Sequence, residues 1–145
     1  MEIYTIGFTK RTAAEFFGAL KHAGVKRLLD VRLNNVSQLA GFTKRDDLPF
    51  FLKEICGADY VHQPLLAPTQ GMLDAYKKQK GSWRDYENLF LQLMKDRKVE
   101  DQLDRNQFSS PTVLLCSEPT AEHCHRRLAL EYLLTKWGNI KIIHI

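Results

Sequence analysis

The sequence lacks the features of a membrane or secreted protein. No apolar run in its 145 residues approaches the roughly 18 residues that a membrane-spanning helix needs. The N-terminal stretch MEIYTIGFTKRT has neither the basic region nor the apolar segment of a secretory signal peptide. The three cysteines, Cys56, Cys116 and Cys124, are an odd number and argue against a disulfide framework. We therefore expect a cytoplasmic protein without a membrane partner.

Several common phosphate- and metal-binding motifs are also missing. The sequence contains neither G-x-G-x-x-G nor a Walker loop, which argues against classical dinucleotide or P-loop binding. It has no CxxC pair and no H-x3-H pair, the usual spacings of zinc ligands. A Cys-x5-Arg phosphatase loop is excluded because the arginine position, counted from Cys116, holds Glu122.

What the sequence does contain is an alternation of strand-like and helix-like segments. Thr12 and Glu15 form a capping box before a helical pattern, and residues 121–136 predict a long helix that ends at Gly138. The strand candidates are residues 3–6, 25–31, 59–63, 112–116 and 140–145. This alternation predicts a single α/β domain over residues 1–145, a three-layer sandwich with a mostly parallel five-stranded sheet. We expect the Rossmann-like strand order 3-2-1-4-5.

Polar and reactive residues follow the ends of three predicted strands. Ligands of such sheets bind beyond the carboxyl ends of the strands, where the winding of the chain reverses. We therefore expect Asp30, Arg32, Cys116 and Glu118 to surround one crevice, with Gly7 and Thr9 at the end of the first strand.

An anion is the ligand that the charge pattern favours. The net charge is +4, and Arg32 and Arg126 are both predicted beside the strand ends. The N–H groups at the start of the long helix, together with Arg126, would form an anion site. The alternative is that these arginines only pair with Asp30 or Glu118 and stabilise the fold.

Cys116 is the candidate nucleophile. It ends a strand and faces a helix N-terminus with His123, His125 and Arg126 nearby, an environment that lowers the pKa of a thiol. Two alternatives stay open. Cys116 and Cys124 can be ordinary buried apolar residues, or they can bind a structural zinc together with His125.

Three segments together resemble a known family. They are YTIGFTKRT, LLDVR and LLCSEPTAEHCHRRLALEYL, followed by a closing strand that ends in IIHI. In this order they resemble the bacterial and archaeal family called domain of unknown function 488, whose members read T-I-G-H-S, D-V-R, C-x-E and C-H-R. The matching positions are Gly7, Asp30, Arg32, Cys116, Glu118, Cys124, His125 and Arg126. The resemblance implies no reaction, although some relatives suggest a connection with DNA repair.

The chain departs from that pattern at two places. Phe8 and Thr9 stand where the family usually has His and Ser, so the hydroxyl is kept and the imidazole is lost. The glycine-rich stretch that often follows the third strand is replaced by LLAPTQG. If the reaction of the family requires that imidazole, this member is altered or inactive.

These observations support three hypotheses. The first is an enzyme, a cysteine-dependent hydrolase or transferase acting on a phosphorylated or nucleic-acid-related substrate. In it, Cys116, Glu118 and Asp30 are catalytic and no metal takes part. Gly7, Thr9, Arg32, Cys124, His125 and Arg126 would then bind the substrate anion. The second is a non-catalytic nucleic-acid-binding module, and the third a structural zinc site at Cys116 and Cys124. The sequence predicts no particular cofactor and leaves the oligomeric state open.

Overall fold

The chain folds around one parallel sheet. The computed structural model describes residues 1–36 and 40–145, so part of the loop predicted over 33–45 lies outside the described residues. All strand pairings are parallel, and the strands are β1 (Glu2–Gly7), β2 (Arg27–Asp30), β3 (Asp59–His62), β4 (Thr112–Cys116) and β5 (Lys141–His144). The α-helices are α1 (Ala13–His22), α2 (Leu48–Phe51), α3 (Gln70–Leu73), α4 (Trp83–Arg97), α5 (Val99–Gln102) and α6 (His125–Trp137). Single π-helical turns, Leu52–Cys56 and Asp74–Lys78, extend α2 and α3.

Helices cover both faces of the sheet, which confirms the predicted α/β class. Phe16, Phe17 and Leu20 of α1 pack with Leu48 and Leu52 against one face. On the other face, α4 and α6 form a second apolar cluster, which includes Phe90 and Leu130. None of the described helices has the length and apolar character that a bilayer span requires.

The strand order corrects the prediction. The observed order is β3-β2-β4-β1-β5, so β4 lies between β1 and β2 instead of beyond β1. The expected order placed β1 beside β2 and β4 beside β5. In the fold every residue of β4 is buried, whereas Glu2 of β1 is exposed, and the fully buried strand takes the central position.

The winding of the chain reverses between β1 and β4. From β1 the chain passes over one face through α1 and moves toward β2, whereas from β4 it passes over the other face through α6 and moves toward β5. The two strands are direct neighbours, with Gly7 opposite Cys116. Ligands of open α/β sheets bind in the crevice at this kind of position.

The start of α6 differs from the predicted boundary. The helix begins at His125 and not at Ala121, and Cys124 is its N-cap residue with an extended backbone (φ −139°, ψ 138°). The carbonyls of Ala121 and Glu122 accept hydrogen bonds from the Arg127 side chain at 3.2 and 3.1 Å instead of helical N–H groups. Cys124 therefore lies directly before the first turn of α6 and close to the end of β4.

Gly7 permits a close crossing of two backbones. A Cβ atom on Gly7 would lie 1.6 Å from the carbonyl oxygen of Glu118, a contact that no side chain tolerates without a backbone shift. The loop after β4 thus runs directly over the end of β1. Gly18, in the middle of α1, has nothing within 4 Å of its equivalent position.

The contrast between these two glycines gives the first prediction. We expect Gly7→Ala to lower the free energy of unfolding by about 3 kcal/mol, because the loop must move away from β1. Gly18→Ala should instead raise it by roughly 0.5–1 kcal/mol, because alanine favours the helix. Urea unfolding followed by circular dichroism measures both, and equal effects at the two sites would contradict the close crossing.

Candidate active site

A cavity of about 290 Å³ opens beside the carboxyl ends of β2 and β4. Five of the nine residues selected from the sequence line it, namely Arg32, Cys116, Glu118, Cys124 and His125. Gly7, Thr9, Asp30 and Arg126 are not among the described residues that line it. They lie at the same edge of the sheet, but they contact other parts of the protein instead of the cavity.

Cys116 and His125 form a buried pair at this cavity. The sulfur of Cys116 lies 3.6 Å from Nδ1 of His125. The other ring nitrogen, Nε2, lies 2.7 Å from the carbonyl oxygen of Val31. A carbonyl can only accept, so Nε2 carries a hydrogen, and Nδ1 is the nitrogen that exchanges a proton with the thiol. Val31 therefore fixes both the orientation and the tautomer of the imidazole.

The surroundings of Cys116 favour its thiolate. The pKa of Cys116 is lowered well below that of an ordinary thiol, first by a hydrogen bond from the Cys124 thiol and then by His125 and the Glu118 N–H. Burial acts in the opposite direction and does not prevail. Burial also lowers the pKa of His125, but the Cys116 thiolate and the Val31 carbonyl outweigh this and raise it. Both shifts favour a thiolate at Cys116 that faces an imidazolium at His125.

Cys124 has the opposite tendency. Burial, followed by the hydrogen bond to Cys116 and the charge of the Cys116 thiolate, raises the pKa of Cys124 well above the ordinary value. The shift therefore favours the protonated thiol of Cys124 beside Cys116. The ligand atoms of Cys116, Cys124 and His125 all lie within 4.8 Å of one another, a group that could also hold a metal ion.

Arg126, Gly7 and Thr9 hold the loop that follows β4. Arg126 is 1% exposed and donates to the Glu118 carbonyl oxygen at 2.7 Å and to Thr5 Oγ1 at 3.2 Å. Thr9 donates its backbone N–H to the Ser117 carbonyl at 3.1 Å. These contacts, together with the crossing at Gly7, fix the loop backbone beside Cys116.

Asp30 and Arg32 form a buried ion pair on the α1 and α2 side of the sheet. Nε and Nη2 of Arg32 donate to the two Asp30 carboxylate oxygens at 2.8 and 2.7 Å. Arg32 also donates to the Thr43 carbonyl at 2.6 Å, and the Tyr60 hydroxyl donates to Asp30 at 2.6 Å. The guanidinium stands 5.3 Å from the centre of the Phe8 ring. This arrangement matches the alternative in which Asp30 and Arg32 pair with each other and stabilise the fold.

The cavity also contains residues that sequence analysis missed. Lys77, from the π-helical turn after α3, forms an ion pair with Glu118 at its edge. Tyr76, Trp83 and Tyr86 form an aromatic wall, in which the Trp83 and Tyr86 rings stack at 5.1 Å. His123, which the sequence had already placed near Cys116, stacks on Trp83 with the ring centres 4.9 Å apart. In the sequence these aromatic residues look like ordinary core residues of helices. No local pattern distinguishes them from residues that only pack in the core.

Comparison with known proteins gives one match. The model of the family described as domain of unknown function DUF488 matches residues 12–133. No curated protein matches the chain. No solved structure matches it either.

The second prediction concerns the reactivity of Cys116. Because its pKa is lowered, iodoacetamide should alkylate Cys116 at pH values below ~8, where ordinary thiols are mostly protonated. His125→Asn removes the imidazolium and should slow alkylation of Cys116 near neutral pH by about tenfold or more. Peptide mass spectrometry resolves each cysteine as a function of pH.

Cys56 is the internal control for that measurement. Burial raises its pKa, and it lies in the apolar cluster on the other face of the sheet. It should therefore label only at higher pH and should not respond to His125→Asn. Identical pH profiles for Cys56 and Cys116 would contradict a thiolate at Cys116.

Proposed function

The chain belongs to the DUF488 family, and we propose that it is a thiol-dependent enzyme that acts on a small molecule. The observation that carries this proposal is the Cys116–His125 pair, 3.6 Å apart and oriented by Val31, at a cavity large enough for a small ligand. A nucleophile, a base and a group that orients the base are the parts that covalent catalysis by cysteine needs.

In the first step the Cys116 thiolate attacks an electrophilic centre of the substrate. A bond forms between the Cys116 sulfur and that centre, and the bond to the leaving group breaks. The leaving group takes the proton from Nδ1 of His125, which becomes a neutral imidazole. The hydrogen bond from Nε2 to Val31 keeps the ring in place during this transfer.

In the second step an acceptor releases the group from Cys116. A water molecule or another nucleophile attacks the bound centre, and neutral His125 takes the proton of the attacking group through Nδ1. The thiolate and the imidazolium are restored. Water as the acceptor makes the protein a hydrolase, and any other acceptor makes it a transferase.

We infer a flat, anionic substrate from the walls of the cavity. Tyr76, Trp83 and Tyr86 present rings on which a planar group can stack. Lys77 offers a positive charge once the substrate replaces Glu118 as its partner. A cavity of about 290 Å³ lies near the lower end of small-molecule sites, which favours a nucleotide-sized ligand over a polymer.

A bound metal ion is the second candidate. Cys116, Cys124 and His125 provide two sulfurs and one nitrogen, the donor set that zinc prefers. The Val31 carbonyl on the other ring nitrogen is the outer partner that zinc-binding histidines usually have. Because no fourth cysteine, histidine or carboxylate among the described residues joins the group, such a site would keep one position open and would not be a closed structural site.

The third prediction separates the two candidates. Protein purified without chelators is analysed for zinc and then alkylated with iodoacetamide, both before and after dialysis against a chelator. The thiol mechanism predicts well under one zinc per chain and alkylation of Cys116 that the chelator does not change. One zinc per chain, with alkylation that begins only after chelation, would overturn it in favour of the metal site.

The fourth prediction tests the substrate class with adenosine monophosphate as the probe. The chain has two tryptophans, and Trp137 packs on Phe108 and Arg105, so Trp137→Phe leaves Trp83 as the only reporter. We expect the nucleotide to quench Trp83 fluorescence and to bind more tightly than adenosine, which lacks the phosphate. Lys77→Ala should weaken nucleotide binding about tenfold, because it removes a charged hydrogen bond.

Lys78→Ala is the matched control for that titration. Lys78 is the next residue, is exposed, and faces Asp74 at 3.5 Å and not Glu118. Its removal should leave the affinity unchanged. The substrate class is wrong if the nucleotide causes no quenching, or if both lysine variants lose the same affinity.

A further inference from the structure

Cys124 is a second reactive group that the proposed mechanism leaves without a chemical role. It is 2% exposed and lines the same cavity as Cys116, which is 3% exposed. The two sulfur atoms lie within 4.8 Å of each other. Cys56 cannot join them, because it packs against the opposite face of the sheet.

The two sulfurs have different neighbours. The Cys116 sulfur lies 3.6 Å from Nδ1 of His125, which can take its proton, whereas Cys124 is the N-cap residue of α6. An oxidant that accepts a nucleophile therefore reacts first with Cys116, because the thiolate is the reactive form. Cys124 stays beside it as a protonated thiol.

The backbone between Cys116 and Cys124 permits their sulfur atoms to approach each other. A disulfide needs sulfur atoms about 2.05 Å apart, so the two side chains must rotate toward each other. Cys124 precedes the first residue of α6, and residues 117–124 belong to no helix or strand. The approach therefore requires neither a broken sheet pairing nor an unwound helix.

We propose that Cys116 and Cys124 form a two-thiol redox centre that hydrogen peroxide oxidises to a disulfide. The inference rests on the same Cys116 thiolate as the proposed function. In the first step the Cys116 sulfur attacks one peroxide oxygen and the O–O bond breaks. The departing hydroxide takes the proton from His125 and leaves as water, and Cys116 becomes a sulfenic acid.

In the second step Cys124 closes the disulfide. Its sulfur attacks the Cys116 sulfur, the S–O bond breaks, and the hydroxyl leaves as water with the proton of the Cys124 thiol, passed on by His125. The two sulfurs lose two electrons in total, and the peroxide is reduced to two water molecules. A dithiol reductant restores both thiols by exchange.

The fifth prediction uses hydrogen peroxide as the probe and a Cys56→Ser protein, which keeps only Cys116 and Cys124. After a short exposure, blocking with iodoacetamide and intact mass spectrometry should show the loss of two hydrogens and of both titratable thiols. Dithiothreitol should restore both. Adding Cys124→Ser should stop the reaction at a sulfenic acid that dimedone traps on Cys116.

Separate outcomes distinguish this inference from the proposed function. If dimedone labels Cys116 in the Cys56→Ser protein while Cys124 stays free, the redox centre is wrong and the nucleophile stands. If Cys116 resists both peroxide and iodoacetamide, both are wrong. Adding Cys116→Ser should leave Cys124 oxidised at least about tenfold more slowly, and an unchanged rate would contradict the order of the two steps.

Discussion

The parallel pairing of β1 with β4 is the constraint on which the candidate site depends. It places Gly7 opposite Cys116 at the point where the chain reverses its winding. The absence of a side chain at Gly7 lets the backbone of Glu118 cross over β1, and Arg126 holds that backbone through its carbonyl. Cys116 therefore ends a buried strand and also faces a cavity. A residue in such a position is ordered by the sheet and still open to a ligand.

The two faces of the sheet carry charged groups of different kinds. On the α1 and α2 side, Asp30 and Arg32 are buried and hydrogen-bonded to each other, with Thr43 and Tyr60 as further partners. Removing one partner of a buried pair of this kind costs about 3–5 kcal/mol, because the other charge is left buried without a partner. On the α4 and α6 side, the pair of Cys116 and His125 faces the cavity, and this is where chemistry can occur.

A buried thiolate and a bound metal place the same demands on the protein. Both require a sulfur that gives up its proton despite burial, and both require one fixed histidine tautomer. Hydrogen bonds from Cys124, His125 and the Glu118 N–H outweigh the cost of burying the charge on Cys116, and Val31 fixes the tautomer. The geometry thus supports both a thiol enzyme and an open metal site. The same proximity of Cys124 gives the thiol enzyme access to a disulfide.

The sequence by itself determined the local features of this protein. The capping box of Thr12 and Glu15 forms as predicted, since its hydrogen bonds join residues three apart, and the alternation of strands and helices predicted the α/β class. The sequence also indicated Cys116, because the buried strand and the reactive residues that follow it lie in one continuous segment.

Only the tertiary structure decided the strand order, the first residue of α6 and the distant partners of Cys116. The place of β4 follows from competition among strands for the centre of the sheet, and Val31 joins the site through a carbonyl that every residue has. Lys77 and Trp83 come from helices far from β4 in the chain. Such contacts depend on how whole elements pack, and no local pattern of residues encodes them.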